Sequence, residues 1–304
     1  MSTDDGAARQ LDGGPMVSVV ARLHSLSSVR ILARGLESQV WRATSEQYGQ
    51  VVVKLPVNLS YDNVNDPGVE LSTLFRQEQR LAAHLHHHGF SQAPRAFVVD
   101  ELDGHPFMIS EYIESDAEPV EGYEVGRALA ALHKVPPPEF ATSAQEGMPA
   151  SRLIPHRINR RALVFNEITG ESLPIPSVEE MAAALLEVAD DGHLLHLDVR
   201  SANLRRSSRR PVVLLDWSNS LVGPVLLELA RSRQIGDIAG DELEAGYRSV
   251  AGDYRRSEAA ELIFRLDAAV MLALVFLSEA PDPAAAKVAC SRATGLAWEL
   301  RTAL

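Results

Sequence analysis

The tightest constraint on this chain is the stretch His196-Leu197-Asp198-Val199-Arg200-Ser201-Ala202-Asn203-Leu204, followed by Val212-Val213-Leu214-Leu215-Asp216-Trp217. Asp198 and Asn203 are five residues apart, and Asp216 stands thirteen beyond Asn203, each hard against apolar residues. A carboxylate beside a buried strand is costly unless something pairs with it. The order His-x-Asp-x-x-x-x-Asn with a later Asp is that of a phosphoryl-transfer centre. In such a centre the first Asp receives the proton of an attacking hydroxyl, and the Asn and second Asp hold Mg²⁺.

A chain of 304 residues is long enough for two packed lobes. Its hydrophobic content is 46% and its charged content 23%, the balance of a globular protein. A formal net charge of −12 discourages non-specific binding to nucleic acid or to an anionic membrane, both of which attract basic surface. The one cysteine, Cys290, excludes an internal disulfide and a Cys-rich metal site. The start, Met1-Ser2-Thr3-Asp4-Asp5-Gly6, is acidic where a signal peptide is basic. The longest apolar run, Ala268 to Leu277, has ten residues against the roughly 20 of a membrane helix. The expectation is a soluble cytoplasmic protein with no membrane or nucleic-acid partner.

In chain order, residues 1–14 are polar and Gly-rich, a loose tail. Val29 to Arg34 and Gln39 to Ala43 alternate as strands do, around a turn at Gly35-Leu36-Glu37-Ser38. A third strand, Val51-Val52-Val53-Lys54, follows a turn at Gly49. Strand, glycine turn and strand, with a third strand ending in Lys, outline a nucleotide-covering hairpin. Backbone N–H groups between Gly35 and Ser38 would approach phosphates there.

Between Val69 and His88, the residues Leu71, Leu74, Phe75, Leu81, Ala82 and Leu85 recur at helical spacing. At about 100° per residue, Glu78 falls in the middle of that apolar face. A buried carboxylate needs a cation, and Lys54 is the candidate. His84 and His88, four apart, could share a metal; more simply they suit a helix C-terminus capped by Gly89.

Ala96 to Asp100 and His105 to Ile113 read as two strands around an Asp103-Gly104 turn, with adenine expected at backbone groups near Glu111, Tyr112 and Ile113. Residues 114–119 then connect a β-rich lobe, 15–113, to a helical lobe, 114–304. Gly122 to His133 is helical, and Pro136-Pro137-Pro138 stops it. The segment 139–176 reads as irregular and basic, with Arg152, Arg157, Arg160 and Arg161. Ser177 and Glu180 form a capping box for a helix that Asp190-Asp191-Gly192 ends. Arg205, Arg206, Arg209 and Arg210 flank Ser207-Ser208 in a hairpin, most simply a solvated turn. Helices are expected over 226–231, 242–250, 258–277 and 284–304.

Taken together, these residues resemble the aminoglycoside phosphotransferase and choline kinase-like family, relatives of protein kinases. The resemblance runs from about Ile31 to Arg231 and is most specific at 196–217. There His196-x-Asp198-x-x-x-x-Asn203 matches the catalytic loop, and Leu215-Asp216-Trp217 matches the second metal motif. Lys54 and Glu78 match the first-lobe ion pair. The resemblance implies an α+β, bilobal protein kinase-like fold with ATP in the cleft, a small β-rich lobe carrying one main helix, and a larger helical lobe. It implies that Asp198 deprotonates the acceptor, that Asn203 and Asp216 hold Mg²⁺, and that Lys54 meets the α- and β-phosphates. Arg200 stands where protein kinases place a Lys facing the transferred phosphoryl group.

Three departures stand out: Leu197 where the family often has Gly, Gly223-Pro224-Val225 where Gly-Asp-Pro is usual, and Glu228-Leu229-Ala230 in place of Asp-Leu-Ala. The expected acceptor is a hydroxyl on a small polar molecule, with a peptide Ser or Thr as the alternative. The reading from another class is a non-catalytic nucleotide-binding module. The arginines of 139–176, with Arg200, argue against a polycationic acceptor.

Overall fold

The computed structural model describes residues 13–35, 38–57, 64–65, 68–189 and 192–304. The expected tail up to residue 12, the turn residues Leu36 and Glu37, and Asp190-Asp191 lie outside them. The described residues within 1–63, 67–83 and 94–112 form one compact unit, and those within 64–66, 84–93 and 113–304 form another.

The first unit is built on a five-stranded antiparallel sheet in the order β1-β2-β3-β5-β4. Its strands are β1 (Leu26–Arg34), β2 (Ser38–Ser45), β3 (Gly49–Pro56), β4 (Ala96–Leu102) and β5 (His105–Glu111). The period of two divides β3 cleanly. Val51, Val53 and Leu55 are buried with Phe107 and Ile109 of β5. Val17 and Val20 of α1 (Gly13–Leu23) join that cluster. This helix was not expected: its opening Gly13-Gly14 falls in the stretch read as a loose tail. Lys54 points to the opposite face, toward α2 (Leu71–His87). Gly89, at φ +79°, ends α2 as anticipated.

The second unit is mainly helical: α3 (Gly122–Leu132), α4 (Ala150–Thr169), α5 (Val178–Leu185), α6 (Val225–Ile235), α7 (Gly240–Ala251), α8 (Glu258–Leu274) and α9 (Pro283–Ala303). Two small antiparallel ribbons complete it. One pairs β6 (His193–Leu195) with β9 (Leu221–Gly223), the other β7 (Leu204–Ser207) with β8 (Arg210–Leu214). The capping box forms as expected, Ser177 accepting from Glu180 N–H and Glu180 accepting from Ser177 N–H. A π-helical turn, Val275–Glu279, closes α8. No helix among the described residues is long and apolar enough to cross a membrane.

The expectation of an irregular 139–176 is corrected by α4, whose 20 residues occupy its middle. Two features masked it in the sequence. Pro155 sits inside the helix, and arginines stand where an apolar face was sought. Arg161 is 1% exposed and donates to Asp267 of α8 at 2.6 Å, while Arg157 donates to the Ala144 carbonyl at 2.8 Å. These cations face the core because their partners are there, and a hydrophobic period cannot reveal that.

The hairpin β7–β8 is also more than a solvated turn. Arg206 pairs with Asp116 at 3.2 Å, Arg210 donates to the Ser91 carbonyl, and Arg205 donates back to the Ala202 and Leu204 carbonyls.

Helices α3 and α7 cross through glycines. A Cβ at Gly126 would run into the Leu243 carbonyl, and one at Gly246 into the Tyr123 carbonyl. Because the obstructing atoms are backbone, they cannot step aside as a side-chain tip would. Gly126→Ala and Gly246→Ala should each lower unfolding free energy by about 3 kcal/mol, toward the upper end of overpacking costs, as read from denaturant melts.

Candidate active site

The residues expected to form the catalytic loop, 196–203, sit between β6 and β7. His196 is fully buried, and its ring bridges two backbone groups. Nδ1 faces the Asp198 N–H at 3.2 Å and Nε2 the Leu215 carbonyl at 3.0 Å. The tautomer with its proton on Nε2 satisfies both, so His196 fastens Asp198 to the segment carrying Asp216. Trp217 packs edge-on against the imidazole, with centroids 4.6 Å apart, and donates to the Leu214 carbonyl.

Leu197 occupies the left-handed region at φ +61°. This is the conformation for which glycine is suited, and a leucine there costs on the order of 1–2 kcal/mol. Burial of its side chain, 2% exposed, offsets that by an amount of similar size. The backbone is further held by Glu228, fully buried in α6. It accepts from His196 N–H at 2.6 Å and from Leu197 N–H at 2.8 Å. The departure at position 228 therefore does not disorder the loop; the longer carboxylate grips two consecutive amides.

Burial alone would raise the Glu228 pKa, but the His133 ring beside it, 3.6 Å away, together with His196 and its N–H, brings it below the ordinary value. His133 is itself set by Tyr247 of α7, its Nδ1 lying 3.0 Å from the Tyr247 hydroxyl.

Asp198 projects from this loop largely shielded, its side chain 16% exposed. Asn203 Nδ2 donates to its Oδ2 at 2.6 Å and to its carbonyl at 3.0 Å, and Arg200 Nε lies 3.2 Å from Oδ1. With its amide nitrogen committed to Asp198, Asn203 has its Oδ1 left as an acceptor.

Leu204 pairs with Leu214, and Leu215 N–H donates to the Asn203 carbonyl, so the open end of the β7–β8 ribbon brings Asn203 and Asp216 together. Asp216 is held at φ +65°, a strain that Asp tolerates better than most residues, and its Oδ1 accepts from Ser218. One carboxylate and one amide oxygen are hard donors. They fit Mg²⁺, which binds through one or two protein oxygens and completes its shell with water and substrate phosphates. Among the described residues no group of three or more His, Cys, Asp or Glu side chains is placed to hold a metal ion.

In the first unit, Lys54 Nζ lies 2.8 Å from Glu78 Oε1, the pairing expected from helical phase. Gly35 N–H donates to the Ser38 carbonyl at 2.8 Å, closing the base of the turn. The backbone near the expected adenine position is partly engaged. Glu111 exchanges bonds with Arg95, its N–H donating to the Arg95 carbonyl and its carboxylate accepting from Arg95 N–H, while Tyr112 N–H donates to Gln50. Ile113, in the second unit, is buried and has no hydrogen-bond partner among the described residues. Two anchors of the catalytic loop were not anticipated from the sequence: Glu228, noted only as a departure, and Asp237, which accepts from Ser201 N–H at 2.6 Å.

A sheet-bearing unit with a Lys–Glu pair and a helical unit with this loop and ribbon define a phosphotransferase of protein kinase-like fold. Residues 28–261 match the phosphotransferase enzyme family (APH), and the chain belongs to it. Among solved structures it is similar to aminoglycoside phosphotransferase APH(4)-Ia, at 15% identity and TM-score 0.63, over 93% of this chain and 97% of that one. It is also similar to a putative fructosamine-3-kinase from Haemophilus somnus 129PT, at 13% identity and TM-score 0.67, over 92% and 96%. A third likeness is to choline kinase from Cryptosporidium parvum Iowa II, at 13% identity and TM-score 0.59, over 95% and 96%. No curated protein matches it in sequence.

Glu228→Gln tests the loop anchor. An amide cannot accept from two N–H groups with both of its arms, so the variant should lose about 3 kcal/mol at neutral pH by denaturant melt. Because the native pKa is depressed, the carboxylate's stabilisation is present above the unfolded value of about 4.3 and disappears as pH falls through the native one. The gap between wild type and variant should therefore narrow in acid.

Proposed function

We propose that this phosphotransferase is an ATP- and Mg²⁺-dependent kinase that phosphorylates a hydroxyl group of a small polar molecule. The observation that carries this reading is the clamped carboxylate of Asp198. Asn203 fixes one oxygen, and Arg200 lies against the other. A carboxylate so oriented can take the proton of an attacking hydroxyl, and Arg200, half exposed beside it, can offset charge that develops on the transferred phosphoryl oxygens. Asn203 and Asp216 would hold Mg²⁺, which supplies charge neutralisation at the phosphates when bound. Lys54, kept in place by Glu78, would contact the α- and β-phosphates, with backbone between Gly35 and Ser38 approaching them as well. Backbone at Glu111 and Ile113 would meet the base, and Ile113 is the better placed of the two because Glu111 N–H is already bonded.

Arg157 and Arg161 are buried and bound within the protein, so they no longer argue against a polycationic acceptor. A small-molecule hydroxyl is favoured over a peptide by the relatives. A thermostable mutant of APH(4)-Ia has been captured in a ternary complex with ADP and hygromycin B, and another similar structure is a choline kinase.

Asp198→Ala should reduce transfer by about 10³-fold while binding of the ATP analogue AMP-PNP persists. The measurement is an acceptor screen with labelled ATP, read by product mass, alongside calorimetric titration of AMP-PNP. A variant that phosphorylates its acceptor at the native rate would refute the role of Asp198.

A further inference from the structure

The chain just past α6 grips the loop 196–203 at a second point that the family motifs quoted above do not include. Gly236, at φ +80°, ends the helix and turns the chain back. Asp237 then places its Oδ2 2.6 Å from Ser201 N, and its carbonyl accepts from the Ser201 hydroxyl at 3.4 Å. Ser201 opens the 3₁₀ turn Ser201–Asn203, and the residue at the cap position of that turn is Arg200, whose side chain makes no capping bond. A helical turn leaves its first N–H groups without internal partners, a need normally met by a Ser, Thr, Asp or Asn at the cap. Here the capping carboxylate arrives from 36 residues away, and Arg200 is left to face Asp198.

We infer that Asp237 is a positioning residue: by capping the 3₁₀ turn it sets the direction of Asn203 toward Asp198 and toward a bound cation, and by fixing Ser201 it sets where Arg200 starts. Both Asp237 and Ser201 are exposed, so the bond adds little to global stability. What it removes is freedom in the segment between the two candidate roles, base and metal ligand. The Asn203 N–H, which donates to the Arg200 carbonyl at 2.8 Å, makes the turn a single unit that responds to its first residue. The consequence for Mg²⁺ rests on the kinase reading; the capping itself does not.

Three variants separate the possibilities. Asp237→Ala removes the acceptor, and Asp237→Asn keeps an oxygen without the charge. Ser201→Pro removes the N–H donor from the other side. Proline fits there because Arg200 is extended, at φ −146° and ψ 157°, and because the first position of a helical turn lacks an internal acceptor for its N–H. Hydrogen exchange of the 202–204 amides and the Mg²⁺ concentration that half-saturates AMP-PNP binding are the readouts, with thermal melting as a control. Asp237→Ala and Ser201→Pro should each speed exchange and raise the Mg²⁺ requirement about tenfold, with melting little changed. Asp237→Asn should recover most of both, and the double variant should be no worse than either single one. Unchanged exchange and Mg²⁺ requirement in both single variants would overturn the inference, as would strictly additive effects. If the unmodified protein binds no AMP-PNP at any Mg²⁺ concentration, the kinase reading fails, and the exchange rates still decide whether Asp237 caps the turn.

Discussion

The site depends first on one buried carboxylate. Glu228 has no access to solvent, and its two oxygens satisfy the consecutive amides of His196 and Leu197. A charge in such surroundings persists only when it is fully hydrogen-bonded, so the loop and the carboxylate fix each other. Removing the amides strands the charge, and removing the charge strands the amides. Leu197 can stay in a left-handed conformation because this reciprocity, together with burial of its side chain, outweighs the backbone strain.

From that anchor the remaining geometry follows in steps. The α3–α7 glycine crossing carries Tyr247 up to His133, and His133 stands against Glu228. Glu228 sets the start of the loop, His196 joins it to Leu215, and the ribbon brings Asp216 back beside Asn203. A close helix approach, far from the chemistry in sequence, thus bears on where two candidate metal ligands sit. Each link is a hydrogen bond or a packing contact between residues distant in sequence.

Features that depend on near neighbours were legible in the sequence. Strand alternation gave β3, helical phase picked Glu78 as the partner of Lys54, and the Ser177–Glu180 spacing gave a capping box that forms. The fold class was legible because the loop motif is a local pattern and because helical phase within α2 alone puts Glu78 on the apolar face. Features that depend on distant partners were not. The arginines of α4 look like a basic loop until Asp267, 106 residues from Arg161, is known to meet them. Leu197 and Glu228 look like losses from a motif, yet the first keeps the backbone conformation that glycine would take and the second holds the consecutive amides of His196 and Leu197.

A non-catalytic nucleotide-binding module would make different demands on this geometry. Such a module needs its Lys54–Glu78 pair and its cation donors, but it gains nothing from a carboxylate held at both oxygens and shielded from water. Asp198 is held in that way by Asn203 and Arg200, on a loop that carries backbone strain at Leu197 and that is tethered on both sides of Asp198, by Glu228 of α6 and by Asp237 just beyond it. Nucleotide binding alone does not require Asp198 to be oriented, whereas proton transfer from a hydroxyl does. The position of Arg200 adds to this. Its guanidinium rests on the oxygen of Asp198 that Asn203 leaves open, so an incoming phosphoryl group would compete with Asp198 for the same cation. Moving Arg200 toward that group would uncover the Asp198 oxygen as the acceptor hydroxyl arrives, which couples charge compensation to the availability of the base.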